Sequence, residues 1–598
     1  MGQMVTYTNR KEVPSHEKWN LADIYSDIKK WEEDYLLIEK MAANLKQYDG
    51  NIQDGHSLYQ YLKQREELSY TFNKIYAYAM LSVDENTRDS KAQSHLDRAK
   101  QLSVKVSAAT SFFMPYLLSL DEGTLKAYIS AEKELDYFAE DLWESFRYKQ
   151  HVLTKDQEAV LSQLGEALTA PGNIFGMMNN ADIKFGEVTS DNGDRVELTR
   201  GMYSKLIEDT DREKRREAYK AYYQPYLQLK NSIAATLSAA IKNNVTTAKI
   251  RQYPSALEKA LFGDKVPKEV YVNLIKTTKD NILPLHHYSR IRKEKLELNE
   301  LRQYDMSVPL VGGVKQVISY EEAYDTMCQA LAPLGEDYIT ILKEFKNARY
   351  LDVRETPGKR SGAYNLGVYG VHPYILLNHQ DDLDSLFTLV HECGHGVHSR
   401  LSSQYQPQIT ARYSIFVAEV ASTVNEVLLI NYLLTNEKNP DVRKHLVNHF
   451  IDQFKGTFFT QVMFAEFEMK THEMAEKGLP LNVEVFNQTY ERLFREYNGD
   501  EVVFDEEVKF GWSRIPHFYR PFYVYKYATG FASAIHLATK ILEGDQETLT
   551  SYLEFLKSGS SDYPLELLKK TGVDLTTPYP IENSMKRFGE LVEEFSRL

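Results

Sequence analysis

A five-residue motif at 391–395, His-Glu-Cys-Gly-His, places the strongest constraint on what this chain can fold into. Residues four positions apart lie on one face of an α-helix, so His391 and His395 can hold one metal ion only if the segment is helical. Glu392, beside them, can then act as a base on a water molecule. The motif predicts a helix that carries the centre of a zinc hydrolase.

The residues that precede the motif are typical of a buried helix. The acidic stretch 381–385 contains residues that favour a helix start, and acids are stabilised at the positive end of a helix. Apolar residues follow at helical spacing: Leu386, Phe387, Leu389, Val390 and Val397. The alternative is that both histidines make ordinary hydrogen bonds within a helix. The apolar setting favours the metal site.

A zinc site needs a third protein ligand, and Glu419 is the best candidate. It lies in the segment 416–426, which has the pattern of a second, almost wholly apolar helix. A buried carboxylate is costly unless it is paired or bound to a metal. Glu426 lies on the same helix face and can accept a hydrogen bond from a ligand histidine. The alternative, that both acids face solvent, conflicts with their apolar neighbours.

Six segments together resemble the oligoendopeptidase F group of the thimet-oligopeptidase-like zinc metallopeptidases. They are HECGHGVH at 391–398, FVAEVASTVNE at 416–426, IPHFYRPFYVYKYATG at 515–530, GKRSGAYN at 358–365, TFFTQVMFAEFE at 457–468 and KWNLADIY at 18–25. The resemblance spans nearly the whole chain. It implies a mostly α fold, in which a large two-lobed shell of many helices encloses a zinc site in a central channel that excludes folded proteins.

A tyrosine-rich segment begins at His517. The carbonyl oxygen of a peptide gains negative charge during hydrolysis and needs hydrogen-bond donors besides zinc. The resemblance assigns this role to His517 and Tyr527, with Tyr523 or Tyr525 contacting substrate. Without the resemblance, an aromatic packing cluster is an open alternative, because the chain contains 41 tyrosines.

The stretch 357–379 is the least helical part of the chain, and it predicts two short strands at 362–365 and 374–378. The small residues Gly362 and Ala363 would let another backbone approach closely. An edge strand beside the metal helix could pair with an extended peptide. A structural hairpin that covers the core is an equally good interpretation of this stretch.

His398 follows His391 by seven residues on nearly the same helix face. A catalytic zinc keeps three protein ligands and an open position, so we expect His398 behind the ligands or in the substrate pocket. Cys393 points away from the two histidines and is expected to be a packing thiol.

The remaining chain has mostly helical periodicity. Apolar spacing predicts helices over 29–47, 55–83, 86–118 and 122–149, and a long helical stretch over 211–250 bent near Pro225. Two strands near 183–198 flank the turn Asp191-Asn192-Gly193 and predict a hairpin. We expect an N-terminal helical lobe over 1–200 that ends in this hairpin, and a catalytic domain over 201–598.

Composition narrows the partners. The net charge of −14 disfavours nucleic-acid binding, and two cysteines form no disulfide framework. We see no apolar run of transmembrane length and no signal-peptide core, so we expect a cytoplasmic enzyme with no membrane partner. The oligomeric state stays open.

These patterns predict a zinc-dependent endopeptidase with one Zn²⁺ per chain, which hydrolyses internal bonds of short oligopeptides. A related enzyme that trims peptide ends is an alternative, and it would need a charged anchor such as Arg360 near the metal. A non-catalytic peptide-binding protein is a second alternative, which the intact ligand set and base disfavour.

Overall fold

The structure is a computed structural model, and it describes residues 7–190, 193–311 and 317–598. The described chain is mostly helical with small sheets, so the predicted fold class is confirmed.

The elements up to residue 302 are α1 (Ile28–Leu45), α2 (Gly55–Glu85), α3 (Ser90–Thr110), α4 (Phe113–Ser119), α5 (Glu122–Ala131), α6 (Ala139–Phe146), α7 (Lys155–Met177), β1 (Glu187–Thr189), β2 (Arg195–Glu197), α8 (Arg200–Leu206), α9 (Arg212–Gln228), α10 (Lys230–Ile250), α11 (Ala256–Phe262), α12 (Lys268–Asp280), α13 (Leu283–Lys295) and β3 (Leu301–Arg302). Those that follow are α14 (Tyr320–Ala330), α15 (Glu336–Asn347), β4 (Leu351–Arg354), β5 (Tyr364–Leu366), β6 (Tyr374–His379), α16 (Leu383–Tyr405), α17 (Ile415–Asn436), α18 (Pro440–Gln453), α19 (Thr460–Glu476), α20 (Val483–Asn498), β7 (Val502–Val503), α21 (Tyr525–Leu542), α22 (Gln546–Lys557), α23 (Pro564–Lys570) and α24 (Tyr579–Arg597).

As far as it is described, the chain forms two compact units, each made of three segments. The first unit comprises Met1–Val152, Lys315–Leu429 and Leu537–Thr571. The second comprises Leu153–Val314, Ile430–His536 and Gly572–Leu598. The division into a lobe over 1–200 and a catalytic domain over 201–598 stays a prediction.

The first unit packs α1, α2 and α3 around a core that includes the fully buried Trp31 and Tyr61. A three-stranded sheet in the order β4-β6-β5 completes this unit, with β4 parallel and β5 antiparallel to β6. Helix α16 packs against β5 and β6. Strand β5 is at the edge of the sheet and lies beside α16. Among the described residues, its outer side is not paired with another strand.

In the second unit, α19 packs against α10, α12 and α20. The strands β1 and β2 pair antiparallel, with Val188 opposite Val196, which confirms the predicted strands of the hairpin. The predicted turn includes Asp191 and Asn192, which lie outside the described residues.

The predicted helices are right in kind and differ at their ends. The stretch 86–118 is two helices, α3 and α4, and 122–149 is α5 and α6 joined by a 3₁₀ turn. The long stretch 211–250 is broken at Leu229, four residues after Pro225, and not simply bent. The periodicity of apolar residues continues through these short breaks, so periodicity alone does not reveal them.

Helix α17 is long and apolar enough to cross a membrane by length and composition, although 72% of its most apolar window is buried within the protein. The sequence prediction of no such run overlooked it, because Glu419 and Glu426 interrupt the apolar residues. A helix that is buried in the core of a protein can have the same length and apolar composition.

Candidate metal centre

Helix α16 begins where the sequence predicts and carries the motif in its middle. The side chain of Asp382 accepts a hydrogen bond from the backbone N–H of Ser385 at 2.8 Å and caps the helix. Helix α17 crosses α16 at Gly394, where an added Cβ would lie 2.7 Å from the Cα of Ser422. This close approach brings the ligand candidates of the two helices together.

Three donor atoms converge at the crossing. One oxygen of Glu419 lies 3.5 Å from Nε2 of His391 and 3.8 Å from Nε2 of His395. One ligand atom from each of these residues lies within 4.8 Å of the others. Donor atoms about 2.1 Å from a tetrahedrally bound ion lie about 3.4 Å apart. The two distances between the Glu419 oxygen and the imidazole nitrogens are close to this value, and the donor chemistry, two imidazoles and a carboxylate, suits zinc.

Neighbouring groups orient both histidines. A carboxylate oxygen of Glu426 contacts Nδ1 of His391, which leaves Nε2 directed at Glu419. The ring of His395 donates to the carbonyl oxygen of Ala418. Burial lowers the pKa of His391, but the carboxylate of Glu426 raises it more, to about 9. Burial and the charge of His391 lower the pKa of His395 well below its ordinary value.

Glu392 is buried beside this cluster, with 7% of its surface exposed. Burial raises its pKa to about 7, although the nearby imidazole of His391 opposes this shift. The backbone N–H of Asn365 donates to its carboxylate, which links the base to strand β5. A carboxylate held in this way can take and return a proton near neutral pH.

Tyr413 lies behind the histidines and was missed by sequence reasoning. Its hydroxyl lies 2.9 Å from Oγ of Ser399 and donates to the carbonyl oxygen of His395 at 3.4 Å. The ring of His398 stacks on the Tyr413 ring with centroids 3.6 Å apart. Burial lowers the pKa of His398 to about 3, and this residue is outside the three-atom cluster. Tyr413 precedes α17 and follows no periodic pattern, so the sequence contains no signal for it.

Strand β5 lies beside α16, and the side-chain amide of Asn365 donates a hydrogen bond to Oγ of Ser399 at 2.9 Å. The strand begins at Tyr364, two residues later than predicted, because Gly362 has a φ of 84° and forms a turn. Gly362 and Ala363 line a small cavity next to α16. A larger cavity of about 670 Å³ opens at the other end of β5 and is lined by Asn365, Leu366, Ser399 and Tyr413 together with apolar residues of α2.

In the second unit, three side chains of the tyrosine-rich segment come together. The rings of His517 and Tyr523 are 6.2 Å apart, those of His517 and Tyr527 are 6.1 Å apart, and those of Tyr523 and Tyr527 are 5.4 Å apart. Burial lowers the pKa of His517, which favours a neutral imidazole. Tyr525 is fully buried against the ring of Tyr271, so it does not join this group.

Arg360, the candidate anchor for a peptide end, is 54% exposed and forms an ion pair with Asp84 at 3.3 Å. Its guanidinium also lies over the ring of Tyr364 at 5.6 Å. Its charge is therefore already compensated within the chain.

A mostly helical fold in which two motif histidines and a carboxylate converge beside a buried glutamate has the features expected of a metallopeptidase. The family model described as peptidase family M3 matches residues 205–587, and one described as oligopeptidase F matches residues 117–185.

Known proteins resemble the chain over its full length. It is 41% identical to oligopeptidase PepF of Bacillus subtilis, with 99% of this chain and 88% of that protein aligned. The crystal structure of oligoendopeptidase-F from Enterococcus faecium is 36% identical, with a TM-score of 0.75 over 95% of this chain and 98% of the other. A solved peptidase structure from Chlamydophila abortus is 33% identical, with a TM-score of 0.91 over all of both chains. The chain belongs to peptidase family M3.

Proposed function

We propose that the chain is a zinc-dependent endopeptidase that hydrolyses internal bonds of short oligopeptides. The convergence of donor atoms from His391, His395 and Glu419 beside the buried carboxylate of Glu392 carries this proposal. The fit of the donor spacing to a tetrahedral ion supports zinc as the cofactor, one ion per chain.

When bound by these three side chains, zinc supplies a Lewis acid that acidifies water and polarises a carbonyl group. Glu392 takes the proton of the attacking water on its carboxylate and then delivers it to the departing amine. Glu426 holds His391 through Nδ1, and Ala418 holds His395 through a carbonyl oxygen, so both rings keep the orientation that binding requires.

His517 and Tyr527 are the proposed donors to the carbonyl oxygen as it gains charge. An imidazole N–H and a phenol O–H donate without a fixed charge, so they favour the transition state over the neutral substrate. The grouping of Tyr523 with these two rings, and the burial of Tyr525, support Tyr523 as the tyrosine that contacts substrate.

The free edge of β5 supports an extended peptide as substrate. A peptide that adds a strand there would pass the residue, Asn365, whose backbone N–H holds Glu392. The cavities at the two ends of β5 provide room for side chains on either side of the paired segment. Such binding needs several residues of unfolded chain, which a single amino acid or a folded protein lacks. Hydrolysis of short peptides is expected in the cytoplasm, with no membrane or nucleic-acid partner.

Glu392→Gln tests the proposal because it keeps the size of the side chain and removes the base. We expect it to retain bound zinc and peptide affinity, while turnover of an end-blocked peptide falls by at least about a hundredfold. Zinc content is measured by elemental analysis and affinity by calorimetry on the same preparation. Near-normal turnover in the zinc-loaded variant would assign the base to another group.

Trimming of peptide ends is the alternative that the same digest distinguishes. An end-trimming enzyme needs a free charged terminus, and blocking both ends of the peptide abolishes its activity. The ion pair between Arg360 and Asp84 leaves Arg360 a poor anchor for such a terminus. A peptide-binding protein without activity would leave both blocked and free peptides intact.

A further inference from the structure

The segment 457–468 resembles the family, yet the proposed chemistry assigns nothing to it. Its two glutamates, Glu466 and Glu468, lie on α19 and are 4% and 2% exposed. Glu466 has ordinary structural partners, since it accepts a hydrogen bond from Tyr497 at 3.2 Å and pairs with Lys279 at 3.2 Å. Glu468 has no cationic partner among the described residues, so its burial needs a different explanation.

Glu468 holds one backbone group of the tyrosine-rich segment. Its Oε1 accepts a hydrogen bond from the backbone N–H of Phe522 at 3.0 Å, and its Oε2 has no partner in the described chain. Burial raises the pKa of Glu468 well above the ordinary value, which favours the neutral form, and Oε1 acts as the acceptor.

Phe522 adopts a backbone conformation that it would not choose alone. Its φ is 54°, a left-handed value that is unfavourable for a bulky side chain and persists only when the surroundings impose it. Its ring is held between those of Tyr271, at 5.8 Å, and His472, at 4.6 Å. The hydrogen bond to Glu468 and these two rings together impose the turn.

The same segment is anchored on both sides of this turn. Before it, Tyr519 stacks on Phe175 with centroids 4.4 Å apart, and its hydroxyl lies 2.9 Å from that of Thr236. After it, Lys526 pairs with Asp264 at 2.6 Å. The chain between these anchors includes Tyr523, and its direction is set at Phe522.

We propose that Glu468 is a positioning residue, whose buried carboxyl group fixes the left-handed turn at Phe522 and thereby places Tyr523 and Tyr527 against His517. The expected effect of Glu468 on catalysis rests on the proposed function, whereas its expected effect on the turn rests on geometry alone. Within the described chain, Glu468 hydrogen-bonds the backbone of Phe522 and none of the three rings, so it acts through the backbone.

Two variants separate its hydrogen bond from its volume. Glu468→Met keeps the approximate length and removes the acceptor, whereas Glu468→Gln keeps both the length and an acceptor oxygen. Hydrogen exchange followed by mass spectrometry reports on the turn without reference to activity. We expect peptides that cover 518–527 to exchange at least about tenfold faster in Glu468→Met, and at the wild-type rate in Glu468→Gln. Unchanged exchange in the Met variant, or equally fast exchange in the Gln variant, overturns the inference.

A double-mutant cycle with Tyr527→Phe tests the link to catalysis. We expect Glu468→Met to lower kcat between about tenfold and a hundredfold in the wild-type background, and less than about threefold when Tyr527 is already Phe. KM should change little in both backgrounds. Losses that multiply show a general structural effect and overturn the positioning role. Wild-type kcat in Tyr527→Phe alone refutes the donor role of Tyr527, and hydrogen exchange then decides the turn by itself.

Glu466→Met is the matched control, because Glu466 is a buried glutamate two residues away on the same helix. It should lower the melting temperature through the loss of its contacts with Lys279 and Tyr497. It should leave hydrogen exchange over 518–527 at the wild-type rate. Its effect on kcat should be the same whether residue 527 is Tyr or Phe. A control that reproduces either effect of Glu468→Met shows that any damage to α19 suffices, which overturns a specific role for Glu468.

Discussion

Four glutamates in this protein show how surroundings assign a role to one and the same side chain. Glu419 points at two imidazole nitrogens and is suited to bind a metal, whereas Glu426 contacts the far nitrogen of His391 and is suited to orient it. Glu392 is buried without an ion pair in the described part of the chain, and burial raises its pKa to about 7, which suits it to the proposed role of base. Glu468 is a buried acceptor for the backbone N–H of Phe522.

Tyr527→Phe removes one hydroxyl and keeps the ring that packs against Tyr523. If this hydroxyl donates only to the charged oxygen of the transition state, kcat should fall by about 10²–10³ with KM little changed. Steady-state kinetics on an end-blocked peptide measure both constants. Tyr525→Phe is the control, since Tyr525 is buried away from the group, and it should retain nearly full kcat. A wild-type kcat in Tyr527→Phe would leave His517 as a donor and move the role of the tyrosine donor to Tyr523.

At the scale of elements, the crossing of α16 and α17 decides whether the three proposed zinc ligands meet. The helices approach so closely at Gly394 that an added Cβ would be 2.7 Å from Cα of Ser422 and 2.9 Å from the carbonyl oxygen of Ala421. The amide of Asn425 also donates across the crossing to the carbonyl oxygen of Val390 at 3.4 Å.

Gly394→Ala should therefore push the helices apart. We expect the free energy of unfolding to fall by about 1–3 kcal/mol, and zinc affinity to fall because Glu419 moves away from the histidines. Urea unfolding and zinc titration measure the two effects. Gly165→Ala in α7 is the control: nothing lies within 4 Å of its added Cβ, so the change should raise helix stability by up to about 1 kcal/mol. Unaltered zinc affinity in Gly394→Ala would show that the crossing tolerates a wider spacing.

At the scale of the whole molecule, buried ion pairs in both units make the free energy of unfolding depend on pH. In the first unit, burial raises the pKa of Asp352, but Lys359 and Arg10 lower it more, so the net shift is downward. In the second unit, Arg212 and Arg215 likewise outweigh burial at Asp305. A carboxyl group with a lowered pKa stabilises the folded state above the unfolded pKa, near 3.9, and this stabilisation is lost as pH falls through the folded value.

Stability should hence decline steeply below about pH 4, and Asp305→Asn should make that decline shallower. The variant should also be less stable at pH 7, by about 3–5 kcal/mol, because Arg215 stays buried without its partner. Urea unfolding followed by circular dichroism from pH 7 to pH 3 measures both effects. Equal pH slopes for wild type and Asp305→Asn would remove Asp305 from the acid response.

Substrate length is the second property of the whole molecule. The proposed function predicts cleavage of internal bonds in short peptides with both ends blocked, and no cleavage of large proteins, native or denatured. Mass spectrometry of a digest of mixed peptides, with and without a chelator, tests this directly. Chelation should abolish cleavage and added zinc should restore it. Efficient digestion of a denatured protein would indicate an open groove, even with the zinc chemistry intact.

The sequence by itself determined the features that depend on local periodicity. Backbone geometry places residues four apart on one helix face, so the convergence of His391 and His395 follows from spacing alone. Glu419 and Glu426 are visible as charges in an apolar helix, where burial demands a partner. The helical class follows from the same periodicity.

Only the tertiary structure decided which distant residues meet. The contact of Tyr413 with His395, the hydrogen bond between Glu468 and Phe522, and the three-segment composition of each unit involve residues that are far apart in the chain or in irregular segments. Tyr523 and Tyr525 are equivalent in sequence, and packing against Tyr271 separates them. The physical reason is that periodicity specifies which face of an element is apolar, whereas the shapes of all packed side chains together determine what that face meets.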